Sequence, residues 1–480
     1  MPRTNILWIC TDQQRWDTLG CMGNRFVRTP NIDRLAAEGA LFRSAYVQNP
    51  VCTPSRASFL TGRYPRTTRC RQNGHAIPAD EVLVTRILAD HGYFCGLSGK
   101  LHLSPCQPNA CPITERRIDD GYHVFHWSHH PRPDWPANAY IHWLREKGAH
   151  WERGDYPDSR HIELGMPEDL HHTTWCSQMA VNFMESASEF DRPWLFSVNI
   201  YDPHHPFDPP EEYLKPYLDR LDDIPLPNYA EGELEEKPVF QGMDHLGAYN
   251  NPGLYPYGEM SERDHRLARA AYWAMVDLID AQVGRMTDAL ERTGQLENTI
   301  VIFMSDHGEM LGDHGIYLKG PYFYDPLIHV PLVIRWPERI RKGLSVPALV
   351  ELTDLAPTLL EALEIPRRPG MQGRSFWPIL TGDADPSHHR DDVYCEYYNS
   401  MGCHRDPDAH GTMLFDGRHK LAVMHGTGQG ELYDTQSDPV ERSNLWGKPE
   451  PATLQASLMH RLCDRMAWTV DPLPLRESGY

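Results

Sequence analysis

Four short apolar runs of the chain each end in polar side chains that could bind a metal ion or an anion. Runs of this length and composition are typical of buried parallel strands. Ligands of open α/β sheets bind outside the carboxyl ends of such strands, so the pattern predicts one shared site at one edge of a sheet. The side chains concerned are Asp12 and Gln13 after residues 5–10, Lys100 and His102 after 92–97, His204 after 194–200, and Asp306 and His307 after 299–304.

Four of these residues have the chemistry of a single metal site: Asp12, Gln13, Asp306 and His307. Carboxylate and amide oxygens are hard ligands, and the imidazole adds a borderline nitrogen. An all-oxygen set would favour Ca²⁺, whereas the nitrogen of His307 makes Mn²⁺ a competitor. We therefore expect one divalent ion, either Ca²⁺ or Mn²⁺.

The pentapeptide 52–56, Cys-Thr-Pro-Ser-Arg, supplies a candidate nucleophile. A helix is predicted to begin here, with Cys52 near its first residue and Pro54 in its first turn. Free N–H groups at a helix start favour an anion, and Arg56 lies one turn further along the same face. A thiolate beside an arginine could itself attack a substrate. However, thiol phosphatases separate these two residues more widely, and the shorter spacing here disfavours a simple thiol mechanism.

The elements around these residues predict an α/β fold. Apolar runs, including a fifth at 330–335 that is also expected to be parallel, alternate with amphipathic stretches at 31–41 and 269–290. We expect a large mixed, mostly parallel sheet covered by helices on both faces in residues 1–375. In residues 376–480, strand-like runs at 392–398, 411–415, 419–425 and 431–433 precede a helix near 454–466. They predict a small C-terminal α+β subdomain built on an antiparallel sheet.

Composition narrows the possible partners. The 480 residues carry 46 Lys and Arg against 66 Asp and Glu, a net charge of −20, which disfavours nucleic acid and anionic membranes as partners. The eleven cysteines lack the regular spacing of a disulfide framework. No apolar run has the length of a membrane span and no signal peptide is visible, so we expect a cytoplasmic protein.

Two long segments, 103–170 and 208–260, show little periodicity. They are interpreted as surface insertions that shape a substrate pocket or an oligomer contact, and we expect a homo-oligomer. Six histidines that lie in the first segment or directly after it are interpreted as loop or interface residues rather than metal ligands. They are His123, His126, His129, His130, His171 and His172.

The chain resembles the type I sulfatases of the alkaline phosphatase superfamily over nearly its whole length. In that family the pattern Cys-x-Pro-x-Arg, present here from Cys52 to Arg56, directs a formylglycine-generating enzyme to oxidise the cysteine to formylglycine (3-oxoalanine). The segment 99–103 matches Gly-Lys-x-His, and 203–206 matches Pro-His-x-Pro with His204 as the histidine. Lys319 matches the lysine after the Gly-Asp-His-Gly turn, and 432–445 resembles the family's C-terminal subdomain.

The resemblance implies a role for each site residue. Residue 52 would join the metal ligands, and one hydroxyl of its hydrated formylglycine would attack the sulfur of a small-molecule sulfate ester. Arg56, Lys100 and Lys319 would hold the sulfuryl oxygens. His204, helped by Lys319, would protonate the leaving oxygen, and His102 would take the remaining hydroxyl proton.

Departures from the family pattern leave a second reading open. Many members have two consecutive aspartates where this chain has Asp12-Gln13, and Asp-Asn where it has Asp306-His307. These variants resemble a bacterial branch that includes phosphonate monoester hydrolases. That branch also has an Asn about twenty residues after the cysteine, matched by Asn73 as a substrate contact or turn residue.

Lys100 and His102 are absent from that branch, so the sequence favours sulfate monoesters. Hydrolysis of phosphonate monoesters or phosphodiesters is the alternative. A two-metal phosphatase is disfavoured because no second ligand set is evident in the sequence, and a non-catalytic binding protein with the same fold is a third reading.

Overall fold

The computed structural model describes residues 4–474 and residue 476 of the chain. Sixteen strands are present within these residues, and they form one eight-stranded sheet, one four-stranded sheet and two short pairs. In chain order the strands are β1 (Asn5–Thr11), β2 (Ala40–Phe42), β3 (Ala45–Tyr46), β4 (Phe94–Gly99), β5 (Val124–Trp127), β6 (Gly154–Asp155), β7 (Glu163–Leu164), β8 (Trp194–Asn199), β9 (Thr299–Ser305), β10 (Leu332–Arg335), β11 (Leu344–Val346), β12 (Val350–Glu351), β13 (Val393–Tyr398), β14 (His410–Phe415), β15 (His419–Met424) and β16 (Gln429–Asp434).

The α-helices of the described residues differ widely in length, from one turn to the 31 residues of the ninth. None of them is both long enough and apolar enough to cross a lipid bilayer. In chain order the helices are α1 (Pro30–Glu38), α2 (Cys52–Thr61), α3 (Pro65–Thr68), α4 (Val84–Asp90), α5 (Ala139–Glu146), α6 (His172–Ala187), α7 (Glu211–Leu218), α8 (Val239–His245), α9 (Glu262–Arg292), α10 (Asp325–Ile328), α11 (Leu355–Ala362), α12 (Trp377–Thr381) and α13 (Ala452–Trp468).

The eight-stranded sheet has the order β11-β2-β10-β9-β1-β8-β4-β5. Its central strands β9, β1, β8 and β4 are parallel, as their continuous apolar runs predict. The prediction that 330–335 is parallel was wrong, because β10 runs antiparallel to both β9 and β2. After β9 the chain stays at the carboxyl edge of the sheet, where the Gly308 N–H donates to the Leu327 carbonyl at 2.8 Å. The chain therefore re-enters the sheet from that edge, and β10 must run antiparallel to β9.

Helices cover the sheet on both faces, which confirms the predicted class. Along β1, Ile6 and Trp8 belong to one hydrophobic core and Leu7 and Ile9 to another. The first core contains apolar side chains of α2, α4 and α11, and the second contains those of α1, α5, α6 and α9. The alternation follows from the two-residue period of a strand.

The C-terminal strands β13 to β16 form the expected antiparallel sheet in sequential order. Leu458 and Leu462 of α13 pack against Leu421 and Leu432 of this sheet. The predicted sheet and its closing helix are thus both present. The proposed boundary between residues 375 and 376 stays a prediction.

The segments 103–170 and 208–260 contain more regular structure than their weak periodicity predicted. The first supplies β5, which extends the large sheet beyond β4, and α5, which packs on the second core. The second supplies the short helices α7 and α8. Trp127 of β5 is 2 % exposed, so this part of the first segment is core rather than surface insertion.

Candidate active site

The carboxyl ends of β9, β1, β8 and β4 lie side by side, and they bring the predicted residues together as expected. Backbone hydrogen bonds continue past the strand ends: the Asp306 N–H donates to the Thr11 carbonyl at 3.2 Å, and the Lys100 N–H donates to the Asn199 carbonyl at 3.0 Å. Gly99 is required at this turn, because it has a φ of +95° and a Cβ there would lie 1.9 Å from the Asn199 carbonyl oxygen.

Cys52 is the first residue of α2, as predicted, and is 1 % exposed. Its Sγ lies 2.9 Å from Lys319 Nζ, 3.7 Å from Lys100 Nζ and 3.1 Å from His307 Nε2. Burial and the Asp12 carboxylate favour the neutral thiol, but the two ammonium groups and His307 prevail and lower the pKa of Cys52. Position 52 therefore lies in a locally positive environment within an acidic protein.

Asp12, Cys52, Asp306 and His307 each provide a donor atom, and these atoms lie within 4.8 Å of one another. Asp12 Oδ1 and Asp306 Oδ1 lie 3.6 and 3.7 Å from His307 Nε2. His307 Nδ1 is 2.9 Å from the Gly308 carbonyl oxygen, and a proton on Nδ1 leaves Nε2 free to bind a cation. Two buried carboxylates and an imidazole in this space fit one divalent ion.

Arg56 lies behind the two carboxylates rather than in the cavity. Its Nε donates to Asp306 Oδ2 at 2.8 Å, its Nη2 to Asp12 Oδ2 at 3.3 Å and its Nη1 to the Lys100 carbonyl at 2.8 Å. The side chain is 1 % exposed. This placement differs from the expectation that Arg56 holds sulfuryl oxygens, because its guanidinium is already committed to the carboxylates.

Lys100 lies on the cavity side of Asp12. Its Nζ donates to Asp12 Oδ2 at 2.5 Å. Burial opposes a charged ammonium, but the Asp12 carboxylate raises the pKa of Lys100 above its ordinary value. The same carboxylate is ionised despite burial, since the positive charges of Lys100, Lys319 and Arg56 hold the pKa of Asp12 well below its ordinary value.

Gln13 follows Asp12 with a φ of +69°, and its amide orients Lys319. The Oε1 atom accepts from Lys319 Nζ at 2.8 Å, while Nε2 donates to the buried carboxylate of Glu309. The Gln13 N–H donates to Asp306 Oδ1 at 3.1 Å. The geometry thus assigns Gln13 a supporting contact, and its predicted role as a metal ligand stays a prediction.

His102 and His204 lie on the cavity wall. Burial and the neighbouring Lys100 hold the pKa of His102 well below its ordinary value. Burial and Lys319 do the same to the pKa of His204, whose Nδ1 lies 2.6 Å from the His205 carbonyl oxygen. Both imidazoles are therefore neutral near pH 7, which suits His102 as a proton acceptor.

Asn73 lines the same cavity, close to the start of α2. Its Oδ1 accepts from the Thr53 N–H at 3.0 Å, and its Nδ2 faces Met401 Sδ at 3.6 Å. This contact satisfies one of the free N–H groups at the helix start. Asn73 thus has a structural contact, and its cavity position is compatible with contact to a substrate.

The cavity has a volume of about 800 Å³, and the two irregular segments supply much of its wall. This confirms their predicted contribution to a pocket. His129, Arg132 and Trp135 come from the first segment and Tyr249 from the second. Sequence reasoning missed all four, and it interpreted His129 as a loop or interface residue.

Tyr249 is the least expected wall residue. It has a φ of +60°, which is uncommon for an aromatic residue. Its hydroxyl is buried without a hydrogen-bond partner among the described residues. The available sequence signal is an aromatic residue inside the Gly- and Asn-rich turn 247–252, which does not indicate a binding role.

Comparisons with known families agree with this geometry. The family model described as Sulfatase matches residues 4–365, and one described as N-sulphoglucosamine sulphohydrolase, C-terminal, matches 312–467. An arylsulfatase of Clostridium perfringens is 29% identical over 465 residues, covering 93% of this chain and 91% of that protein. An uncharacterized sulfatase of Escherichia coli, YidJ, is 31% identical over 494 residues, covering 98% and 89%.

Solved structures with the same fold include two phosphonate monoester hydrolases. The one from Silicibacter pomeroyi has a TM-score of 0.83 at 25% identity and covers 98% of this chain and 96% of its own. The one from Agrobacterium radiobacter has a TM-score of 0.82 at 27% identity, with 98% and 97% covered. Similar proteins therefore carry names from both activities that the sequence leaves open.

Proposed function

The chain belongs to the sulfatase family and is a sulfuric ester hydrolase, and we propose that it cleaves sulfate monoesters with a formylglycine made from Cys52. The observation that most supports this nucleophile is the position of Cys52 at the first residue of a helix. There its sulfur lies close to the ammonium groups of Lys100 and Lys319 and to the Asp12 carboxylate. Maturation would require a formylglycine-generating enzyme as partner.

A single divalent ion, Ca²⁺ or Mn²⁺, would be held by Asp12, Asp306, His307 and residue 52, with Gln13 as a further candidate ligand. When bound, such an ion supplies positive charge that stabilises the negative charge developing on oxygen. Arg56 keeps the two carboxylates in place from behind, so the ligands are fixed before the ion binds.

The chain's own residues would then handle the substrate and its protons. A hydrated formylglycine offers two hydroxyls on one carbon, of which one attacks sulfur and the other loses its proton as the aldehyde re-forms. Lys100 and Lys319 would hold the sulfuryl oxygens. His102, neutral at rest, would accept the hydroxyl proton.

His204 would protonate the leaving oxygen, helped by Lys319. Its pKa is low in the substrate-free site because of burial and the nearby Lys319 ammonium. A bound sulfate ester brings negative charge into the same space, which favours the protonated imidazole. The proton would thus be taken up when the ester binds.

Intact-mass analysis of protein from its native host tests the nucleophile. Conversion of Cys52 lowers the mass by ~18 Da and creates an aldehyde that reacts with hydrazines. We expect Cys52→Ala to lose both the aldehyde and the activity. Cys176→Ala, which removes another buried cysteine away from the cavity, is the matched control. An unmodified thiol in an active enzyme would contradict the proposal.

Hydrolysis of phosphonate monoesters or phosphodiesters is the second candidate. It is favoured by Gln13, His307 and Asn73 and by the two phosphonate monoester hydrolase structures. Comparing kcat/KM for an aryl sulfate, an aryl phosphonate monoester and a diaryl phosphate separates the two. A large preference for the phosphonate would overturn the sulfate assignment while leaving the nucleophile in place.

We also propose that the chain forms a homo-oligomer, as the long segments 103–170 and 208–260 led us to expect. Exposed apolar side chains in these segments include Ile113 and Leu246, which are 62 % and 67 % exposed. Light scattering coupled to size-exclusion chromatography measures the mass in solution. A mass of one chain at micromolar concentration would contradict this expectation.

A further inference from the structure

A second group of metal-ligating side chains lies in the cavity wall, outside the group of Asp12, Cys52, Asp306 and His307. His102, Cys106 and His129 each offer one ligand atom, and these atoms lie within 4.8 Å of one another. The two imidazole rings are 4.6 Å apart between centroids and inclined at 69°. All three residues line the cavity, so an ion can reach them from solvent.

From this cluster we infer a second metal site, which takes a thiophilic divalent ion such as Zn²⁺. The donor set contains two nitrogens and one sulfur and no carboxylate, which favours Zn²⁺ over the Ca²⁺ or Mn²⁺ expected at the first site. Three protein ligands leave a fourth position, which would face the cavity and be filled by water.

Two ring nitrogens of this cluster lack hydrogen-bond partners among the described residues, which supports a ligand. Nδ1 of His102 and Nδ1 of His129 are buried, and neither has a hydrogen-bond partner among the described residues. His102 itself is only 7 % exposed. Buried polar atoms without partners are rare in folded proteins. A metal ion would satisfy a nitrogen of each ring.

Protonation of the cluster is compatible with metal binding. Burial holds the pKa of His102 and that of His129 well below the ordinary value, so both rings are neutral ligands. Burial and the nearby Glu115 carboxylate raise the pKa of Cys106, so its sulfur is protonated without a metal and donates to the Ser104 carbonyl at 3.2 Å. Binding would displace this one proton to solvent and form the metal–sulfur bond.

The donors are close to the spacing that an ion requires. Zinc bonds of roughly 2.0–2.3 Å place neighbouring ligand atoms about 3.5 Å apart, and the ligand atoms of this group lie within 4.8 Å of one another, so a contraction of about 1 Å at most forms the site. Cys106 lies in a segment without helix or strand, between Lys100 and β5. In the proposed site, rotation of the Cys106 side chain and a small shift of this segment would bring the sulfur to the ion.

Occupation of this site has a consequence for catalysis, and that consequence rests on the proposed function. A neutral imidazole that binds Zn²⁺ through one nitrogen carries a proton on the other, so it has no free lone pair to accept a further proton. The ion would therefore prevent His102 from acting as the proposed proton acceptor. Zn²⁺ would therefore inhibit the enzyme without displacing the first ion. Metal binding at the cluster does not depend on which ester is cleaved.

Titration with Co²⁺ tests the site, because a cobalt–thiolate bond gives a charge-transfer absorption that oxygen and nitrogen ligands do not give. The protein is the full-length Cys52→Ala variant preloaded with Ca²⁺, so residue 52 contributes no thiolate. We expect a charge-transfer band at one equivalent of Co²⁺, displaced by Zn²⁺. Calorimetry in buffers of different ionisation enthalpy should report release of one proton.

Variants test whether the cobalt charge-transfer band arises from Cys106 and His129. Cys106→Ser should abolish it, and His129→Ala should weaken Co²⁺ binding by at least the roughly 10–100-fold that loss of a ligand's support causes. Cys111→Ser is the matched control, since Cys111 packs against Trp127 and Trp135 in the same segment without joining the cluster. If Cys106→Ser does not fold, His129→Ala decides the matter.

An absent band, or a band that survives Cys106→Ser or is unchanged in affinity in His129→Ala, overturns the site. Inhibition of the mature enzyme by Zn²⁺ is measured separately. A cobalt band without zinc inhibition would support the metal site and contradict the role of His102 as proton acceptor. Failure of the inference and failure of the proposed function are therefore distinguishable.

Discussion

Replacing Arg56 by lysine tests whether this residue fixes the metal carboxylates or contacts the substrate. The guanidinium makes three contacts at once, with Asp306 at 2.8 Å, Asp12 at 3.3 Å and the Lys100 carbonyl at 2.8 Å. A lysine keeps the charge but presents a single ammonium group at the end of a flexible stem. It can reach one of the carboxylates, and the other then loses its contact with residue 56 but keeps a second partner, which is Lys100 for Asp12 and the Gln13 N–H for Asp306.

The magnitude follows from the contacts that are lost. Breaking a buried ion pair by removing one partner costs about 3–5 kcal/mol, and this is an upper bound here because the affected carboxylate keeps its second partner. Mutation of an outer residue that orients a metal ligand typically weakens metal binding roughly 10–100-fold. We therefore expect Arg56→Lys to lower the thermal midpoint clearly and to raise the metal dissociation constant by about this factor.

The assay must separate metal binding from maturation, because Arg56 also belongs to the motif that directs oxidation of Cys52. The chain with Arg56 and its Arg56→Lys variant are therefore compared in a Cys52→Ala background, in which residue 52 is the same. Binding of Mn²⁺ and Ca²⁺ is measured by calorimetry. Arg63→Lys is the matched control, since Arg63 is 7 % exposed and follows the same helix but contacts Glu81 and Gly370 instead.

An unchanged metal affinity in Arg56→Lys would refute this reasoning. In that case the carboxylates hold their positions without the guanidinium, and its importance in the mature enzyme would lie in contact with the sulfuryl oxygens. An equal loss in Arg63→Lys would show instead that any buried arginine of this region supports the site through stability alone.

Three further predictions concern other parts of the molecule. The buried carboxylate of Glu115 accepts from the backbone N–H groups of His102 and Ser104 at 3.0 and 3.1 Å, so Glu115→Gln should lower kcat more than it raises KM and cost about 1–3 kcal/mol of stability by thermal unfolding. Tyr249→Phe removes a hydroxyl that has no partner among the described residues. If this hydroxyl contacts the substrate, the variant should lower kcat/KM roughly 2–10-fold without lowering the thermal midpoint. A loss of stability instead would contradict a substrate contact. Burial disfavours the charged imidazole of His404, but the hydrogen bond to Asp244 at 2.9 Å prevails and raises the pKa of His404 to about 9. Because this folded value exceeds the unfolded value of ~6.5, the stabilisation is complete below pH ~6.5 and is lost as pH rises through ~9. His404→Gln should therefore flatten the fall in thermal midpoint across that window, and an equally steep fall in the variant would contradict the assignment.

Strand ends position one part of the site that the sequence predicted. Asp12, Lys100, His204 and Asp306 each follow a buried apolar run, and parallel pairing of the four runs brings their ends to one edge. The strand direction of 330–335 was not predictable in this way, because an apolar run reads the same in either direction. The deciding fact is where the chain re-enters the sheet, and that depends on the hydrogen bonds of the loop 306–328.

The contacts of individual side chains were a second feature that the sequence did not predict. The spacing of Cys52 and Arg56 placed both on one helix face, but it did not reveal which neighbours the guanidinium meets. Three acceptors from three different strand ends surround it, and each is distant in sequence. The sequence also did not reveal the neighbours of Gln13, whose amide contacts Lys319 and Glu309.

The division between rigid and irregular parts of the cavity bears on which ester is cleaved. The nucleophile comes from α2, and Asp12, Lys100 and Asp306 come from strand ends, where packing holds side chains in position. His129, Arg132, Trp135 and Tyr249 come from the two irregular segments, and they line the same cavity as His204, the proposed acid for the leaving group. Because sulfate and phosphonate share the charged end of the substrate, the lysine and carboxylate cluster cannot by itself favour one alcohol over another. We therefore expect specificity for the alcohol to arise largely from the irregular segments, and exchanging residues 129–135 should change the preferred leaving group before it changes binding of the ion at Asp12, Asp306 and His307.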